Sequence, residues 1–146
     1  MFESCKNKQD QIKAAFAKCS NDELKYEKII EFGKKLPKVS PSDKTPENLV
    51  SGCQSTMYLS SKLENGLIYF TGESDALISA GLAALLINVY SGESAETILK
   101  YPPTYLEEMN IGASLTPNRA NGLYSIHLRM KQDALKLYMK QSDKGC

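Results

Sequence analysis

No two cysteines in this chain stand at C-x-x-C spacing, so a structural zinc site is not expected. The four cysteines are Cys5, Cys19, Cys53 and Cys146. An even number permits two disulfides, yet residues 1–13 hold no apolar run of signal-peptide type. The thiols are therefore expected to stay free in a reducing compartment, the cytoplasm. Excess charge of one sign is also missing: 18 Lys and Arg face 17 Asp and Glu, a net charge of +1. That balance offers nothing to attract nucleic acid or an anionic membrane. The longest apolar run, Ala80 to Val89, is too short to span a bilayer. There is no Gly-rich phosphate loop, no Ser-His-Asp order and no metal-ligand cluster. Internal repeats and low-complexity tracts are absent as well.

What is present is the material of a globular protein. A length of 146 residues with 42% hydrophobic content supports one domain, 1–146, with a core that needs neither disulfide nor metal. Ile12, Ala15, Phe16 and Cys19 recur at helical spacing, so a helix is expected over Gln11 to Cys19 with Cys19 facing the core. Cys5 falls before it, in an N-terminus expected to be loose. Ser20-Asn21-Asp22-Glu23 reads as a capping box for a second helix, ended by Pro37. Pro37, Pro41 and Pro46 then hold a loop extended. Three short strands are expected next, at Glu47 to Gly52, Thr56 to Leu63 and Leu67 to Thr71. Glu64-Asn65-Gly66 supplies the turn between the last two.

From Ser74 the period changes to that of a helix. Ala76 to Val89 is apolar almost all round, which marks a buried central helix running to about Tyr90 and closed by Ser91-Gly92. Ser94 caps a short helix stopped by Pro102-Pro103, and Thr104-Tyr105-Leu106-Glu107 reads as another capping box. Thr116-Pro117 opens a last helix expected to reach about Met139, with residues 142–146 frayed and Cys146 mobile. The expected class is α+β, a small three-stranded antiparallel sheet packed against helices.

Val50-Ser51-Gly52-Cys53-Gln54-Ser55 carries the clearest chemical signal. Gly52 permits a sharp bend, and the small polar neighbours leave the sulfur uncovered. A thiol on a turn is available for chemistry. The alternative is a small buried hydrophobe at a strand end. His127, the single histidine, sits mid-helix beside Ile126 and Met130 and reads as a packed or half-exposed side chain. A base role would need hydrogen-bond reach of Cys53. Asp75 and Glu73 read as acids favouring a helix N-terminus. Arg119, in the first turn of the last helix, runs against the dipole preference, which points to a carboxylate partner such as Glu107 or Glu108.

Gly52-Cys53-Gln54-Ser55 followed by Thr56-Met57-Tyr58-Leu59 resembles the SufE family of sulfur-acceptor proteins. Two further blocks agree in order: Gly72-Glu73-Ser74-Asp75-Ala76, and Leu115-Thr116-Pro117-Asn118-Arg119-Ala120-Asn121-Gly122-Leu123. The segment Lys28 to Pro37 is similar too, so the resemblance runs over about residues 12 to 138. Met57-Tyr58 stands where the family commonly has Val-Trp, a change read as packing. The resemblance implies a protein that accepts sulfur from a pyridoxal-phosphate cysteine desulfurase of the SufS or CsdA type. It implies that the protein stimulates that enzyme and passes the sulfur to an iron–sulfur cluster assembly scaffold. It makes Cys53 the acceptor, held as a persulfide, with Gly52, Gln54, Ser55, Asp75 and Arg119 at the partner surface and with no bound cofactor or metal.

Other functions remain open on sequence alone. The same fold is shared with IscU-type scaffolds, which bind metal through several cysteines and a histidine. Here Asp75 stands at the loop where that pattern would put a ligand cysteine, and the next cysteine is Cys146. An independent Cys–His enzyme and a bare binding module are the remaining alternatives. Within the loop no Lys or Arg is present to lower the thiol pKa. The expectation is that a docked desulfurase supplies the activating environment, and that the free protein keeps Cys53 turned toward apolar surface formed by Tyr58 and the buried helix.

Overall fold

Helices form where the apolar stripe is longest, and the first of them begins earlier than its obvious hydrophobes suggest. The computed structural model describes residues 2–53, 55–112 and 115–144, with backbone alone at 141–144. Helix α1 spans Glu3–Phe16 and buries Cys5, Gln9, Ile12 and Phe16, an i, i+4, i+7, i+11 stripe. The N-terminus is therefore helical, and Cys5 is fully buried. The polar Gln9 interrupts the pattern in sequence, but its Nε2 donates to the Pro102 carbonyl at 3.1 Å, which satisfies it in the core. Beside it Lys8 meets Glu93 at 2.5 Å, and Ser4 donates to the same carboxylate. Cys19 follows the helix, half-buried against the core as its spacing suggested.

Helix α2 spans Asp22–Lys34. Its cap is Asn21, whose side chain accepts from the Leu24 amide at 2.8 Å, so the box read from Ser20 is displaced by one residue. After it come two single 3-10 turns at Pro41–Asp43 and Pro46–Asn48.

The sheet has two strands, not three. Strand β1, Met57–Glu64, pairs antiparallel with β2, Leu67–Ser74, in register from Met57 with Ser74 to Glu64 with Leu67. Asn65 and Gly66 both adopt positive φ, 52° and 79°, the geometry of a two-residue hairpin turn that suits Asn-Gly. The strand expected at Glu47 to Gly52 is reduced to a single bridge between Leu49 and Tyr58. Pro46 has no amide to donate and starts a tight turn instead, which the Asn48 side chain fastens to the Asp43 carbonyl at 2.7 Å. Gly52 then turns away from the ladder with φ +91°.

Helix α3, Leu77–Tyr90, is the centre of the molecule and buries eleven of its residues, from Ile78 to Tyr90. It packs against α1, α2 and β2. Ser74, the expected cap, is the last residue of β2, and its Oγ accepts from the Ala76 amide just before the helix. Helix α4 is Ala95–Lys100, capped by Ser94 as expected. Helix α5 is Thr104–Glu108, with Thr104 inside the helix and Pro103 at the cap position, so no capping box forms there. Helix α6 runs from Pro117 to Lys144, five residues beyond the expected end. It packs on α3, α4 and β1.

The crossing of α2 and α3 depends on two glycines. A Cβ on Gly81 would lie 2.2 Å from the Ile29 carbonyl oxygen, and one on Gly33 would lie 2.5 Å from the Gly81 amide. These are backbone atoms, which cannot rotate aside, so a methyl group forces the helices apart. Gly81→Ala is expected to lower the unfolding free energy by about 1–3 kcal/mol, read as a lower urea midpoint. Gly112→Ala, where nothing lies within 4 Å of the added carbon, is expected to change stability by less than about 0.5 kcal/mol.

Candidate functional site

Cys53 lies on the segment that links the Pro46–Asn48 turn to β1, with its back to α6. The approach is close because Gly52 carries no side chain. A Cβ there would meet Ser125 Oγ at 2.3 Å, and the residue's φ of +91° lies in the left-handed region. One turn earlier on α6 stands Gly122, and the Cys53 thiol donates to its carbonyl with Sγ 3.8 Å away. Cys53 is half-buried, packed against the core. Burial pushes its pKa above the ordinary thiol value, and the nearby Arg119 guanidinium pulls the other way without cancelling that effect. Sequence reading found no cation near the thiol because Arg119 arrives from another element.

The downstream arm of the segment is tied to the start of α3. Ser55 Oγ shares a hydrogen bond of 2.7 Å with Ser79 Oγ. Arg119 Nη1 donates to the same Ser79 oxygen at 3.0 Å. Ser74 Oγ donates to the Thr56 carbonyl at 2.7 Å, and the Thr56 amide donates to Asp75 Oδ1 at 3.1 Å. Asp75 thus fastens the strand entry as well as preceding a helix. Arg119 pairs with no carboxylate of α5; Glu108 instead meets Lys13 at 2.7 Å. Glu73 pairs with Lys44 at 2.5 Å and accepts from the Val39 amide, so it secures the proline loop.

The upstream arm is tied to α6 by residues that the sequence did not single out. Arg129 Nη1 donates to the Leu49 carbonyl at 2.8 Å, and Nη2 donates to the Glu47 carbonyl. Its Nε is held by Asp133 Oδ1 at 3.0 Å, and Asp133 Oδ2 accepts from Ser61 of β1 at 3.0 Å. The available signal was positional: Asp133 is a carboxylate beside the apolar stripe of α6, four residues after an arginine. Between this arm and α6 lies a cleft of about 210 Å³ lined by Val50, Ser51, Ser125, Leu128, Arg129 and Gln132.

Cys53, Ser55, Asp75 and Arg119 are thus brought together, with Gly52 as the bend; Gln54 lies outside the described residues. The expected shelter was apolar surface of Tyr58 and the buried helix; the structure packs Cys53 against the core and adds a hydrogen bond to the Gly122 carbonyl of α6. His127 takes no part. Five residues on from Gly122, it projects about 140° further round the helix. It stacks on Tyr90 with ring centroids 5.7 Å apart, and its Nε2 has no hydrogen-bond partner. Of the remaining thiols, Cys5 is buried with its pKa raised to about 11, chiefly by desolvation and then by Glu93. Cys19 Sγ lies 3.8 Å from the Leu24 carbonyl, and Cys146 is outside the described residues. Among the described residues there is no group of three or more His, Cys, Asp or Glu arranged to hold a metal, and no helix long and apolar enough to cross a membrane.

The molecule is a small α+β protein with a thiol-bearing segment bent between a helix face and a strand entry. The family model described as "SufE: Fe-S metabolism associated domain" matches residues 10–134, and the chain belongs to this family. It is 35% identical over 132 residues to an uncharacterised SufE-like protein of Synechocystis sp., covering 90% of this chain and 83% of that one. Its fold is similar to the solution structure of a hypothetical protein from Thermus thermophilus, with a TM-score of 0.75 and 25% identity over 90% of this chain and 96% of that one. These likenesses place the protein in iron–sulfur metabolism.

The buried imidazole makes stability depend on pH. In the folded chain the His127 pKa is lowered from the ordinary 6.5 to about 4, first by burial and then by Lys131. Between these values the unfolded chain binds more protons, so stability is lost as pH falls from about 6.5 to about 4. Urea midpoints measured across that window are expected to fall less steeply for His127→Phe than for the native sequence.

Proposed function

We propose that the protein is a sulfur acceptor and activator for a cysteine desulfurase of the SufS/CsdA type, with Cys53 carrying the sulfur as a persulfide. The Cys53 thiolate attacks the terminal sulfur of the enzyme's persulfide. A sulfur–sulfur bond forms at Cys53, the enzyme's own sulfur–sulfur bond breaks, and the enzyme cysteine leaves as a thiolate. A second exchange of the same kind hands the sulfur to an iron–sulfur assembly scaffold. The reading takes the chain as one domain, 1–146, acting in the cytoplasm.

The observation that carries it is the half-buried thiol of Cys53 on a segment fastened at both ends, in a chain of this family. Its raised pKa suits a carrier that stays quiet until docking. A thiol mostly protonated at neutral pH is a poor nucleophile and resists stray oxidation. A desulfurase that draws the segment outward returns the thiol to solvent and to its own cationic groups. Gly52, Gln54, Ser55, Asp75 and Arg119 form the partner surface in this reading. Gly52, Ser51 and Asp75 are exposed, whereas Ser55 and Arg119 are engaged in holding the segment.

Incubation with a cysteine desulfurase and cysteine, followed by peptide mass spectrometry, tests it. One added sulfur, about 32 Da, is expected on the Cys53 peptide, removable by a thiol reductant. Cys53→Ser is expected to lose that gain and the stimulation of the enzyme together. Sulfur appearing on Cys19 or Cys146 with Cys53 unmodified would sink the assignment.

A further inference from the structure

We propose that Arg129 is a positioning residue for Cys53, holding the upstream arm of its segment against α6 and so setting how far the thiol stands from solvent. This deepens the reading of Cys53 as the sulfur-carrying residue and rests on it.

The guanidinium meets three acceptors in two different places. Its two outer nitrogens take the carbonyls of Glu47 and Leu49, on the arm leading to Cys53. Its Nε takes Asp133 one turn along α6, and Asp133 in turn is held by Ser61 of β1. The side chains of Arg129 and Asp133 are 19% and 11% exposed, so their ion pair is partly shielded from water, whereas the two bonds to the Glu47 and Leu49 carbonyls lie at the surface. Only a planar fork can reach two carbonyls and a carboxylate at once. The arm has one bridge to β1 and no strand ladder of its own, so the two guanidinium bonds fix its backbone to α6. The arm is anchored in the core at Val50, whose amide donates to the Met57 carbonyl, but a cleft of about 210 Å³ runs beside it along Leu128 and Arg129, so Arg129 holds the arm where side-chain packing against α6 is incomplete. The downstream arm has a separate set of ties through Ser55, Thr56, Ser74 and Asp75. With Arg129 released, Val50 and the downstream ties still hold the rest of the chain, so the loosening is confined to the segment that carries Gly52 and Cys53.

The experiment is alkylation of the free, full-length protein by iodoacetamide, with rates for Cys53, Cys5 and Cys19 read separately by peptide mass spectrometry across pH. Arg129→Gln is expected to raise the Cys53 rate at pH 8 about threefold or more, with Cys5 unchanged. The midpoint of the Cys53 pH–rate curve is expected to move down toward the ordinary ~8.5 as burial is lost. Arg129→Lys, with one ammonium in place of the fork, is expected to fall between. An unchanged Cys53 rate and midpoint in Arg129→Gln overturns the proposal. So does equal acceleration of Cys5, which would mean that the whole fold has loosened. Should Arg129→Gln lose its cooperative urea transition, Asp133→Asn carries the same comparison, and the same two results support or overturn the proposal. No desulfurase enters these measurements, so a failure of sulfur transfer would sink the sulfur-acceptor reading and leave this result standing.

Discussion

Gly52 meets Ser125 of α6 so closely that a Cβ there would lie 2.3 Å from its Oγ, and the behaviour of the neighbouring thiol follows from that approach. A segment pressed backbone-first onto a helix must bend where it touches, and only glycine takes the required φ of +91° without strain. The bend delivers Cys53 to the Gly122 carbonyl, half out of water. Everything that then holds the segment comes from outside it. Arg129 on α6 reaches the upstream arm directly, and Arg119, also on α6, meets the downstream arm through Ser79 of α3.

The electrostatics of the site reflect this geometry. Desolvation raises the pKa of Cys53, and the Arg119 guanidinium, which opposes it, also donates to Ser79. Burial thus favours the neutral thiol in the isolated protein, and the side chain is only half covered. Cys5 shows the contrast: fully buried in α1 beside the Glu93 carboxylate, its thiol is pushed to about 11.

Short-range signals were legible. Asn65-Gly66 specified the hairpin because its backbone preferences match that turn, and Ala76 to Val89 announced the buried helix by hydrophobicity alone. The bend at Gly52 was legible for the same local reason. What failed depended on partners far along the chain. Gln9 hid the α1 stripe because its hydrogen bond is to Pro102. Glu47 to Gly52 looked like a strand, but Pro46 and the Asn48 tie to Asp43 made a turn there, and only Leu49 reached the ladder. Arg119 was matched to the acids of α5, whereas folding placed Ser79 within its reach.

Local composition by itself thus determined the elements that need no distant partner, the presence of a bent cysteine segment, and the family resemblance. Backbone preferences of Asn, Gly and Pro act over three or four residues and can be read in order. Tertiary structure alone decided how that cysteine is held, which arginine faces it, and that His127 is turned away onto Tyr90. Those outcomes depend on which helix face meets which loop, and that is settled only when α6 docks across the core and brings residues 119 to 133 against residues 47 to 61.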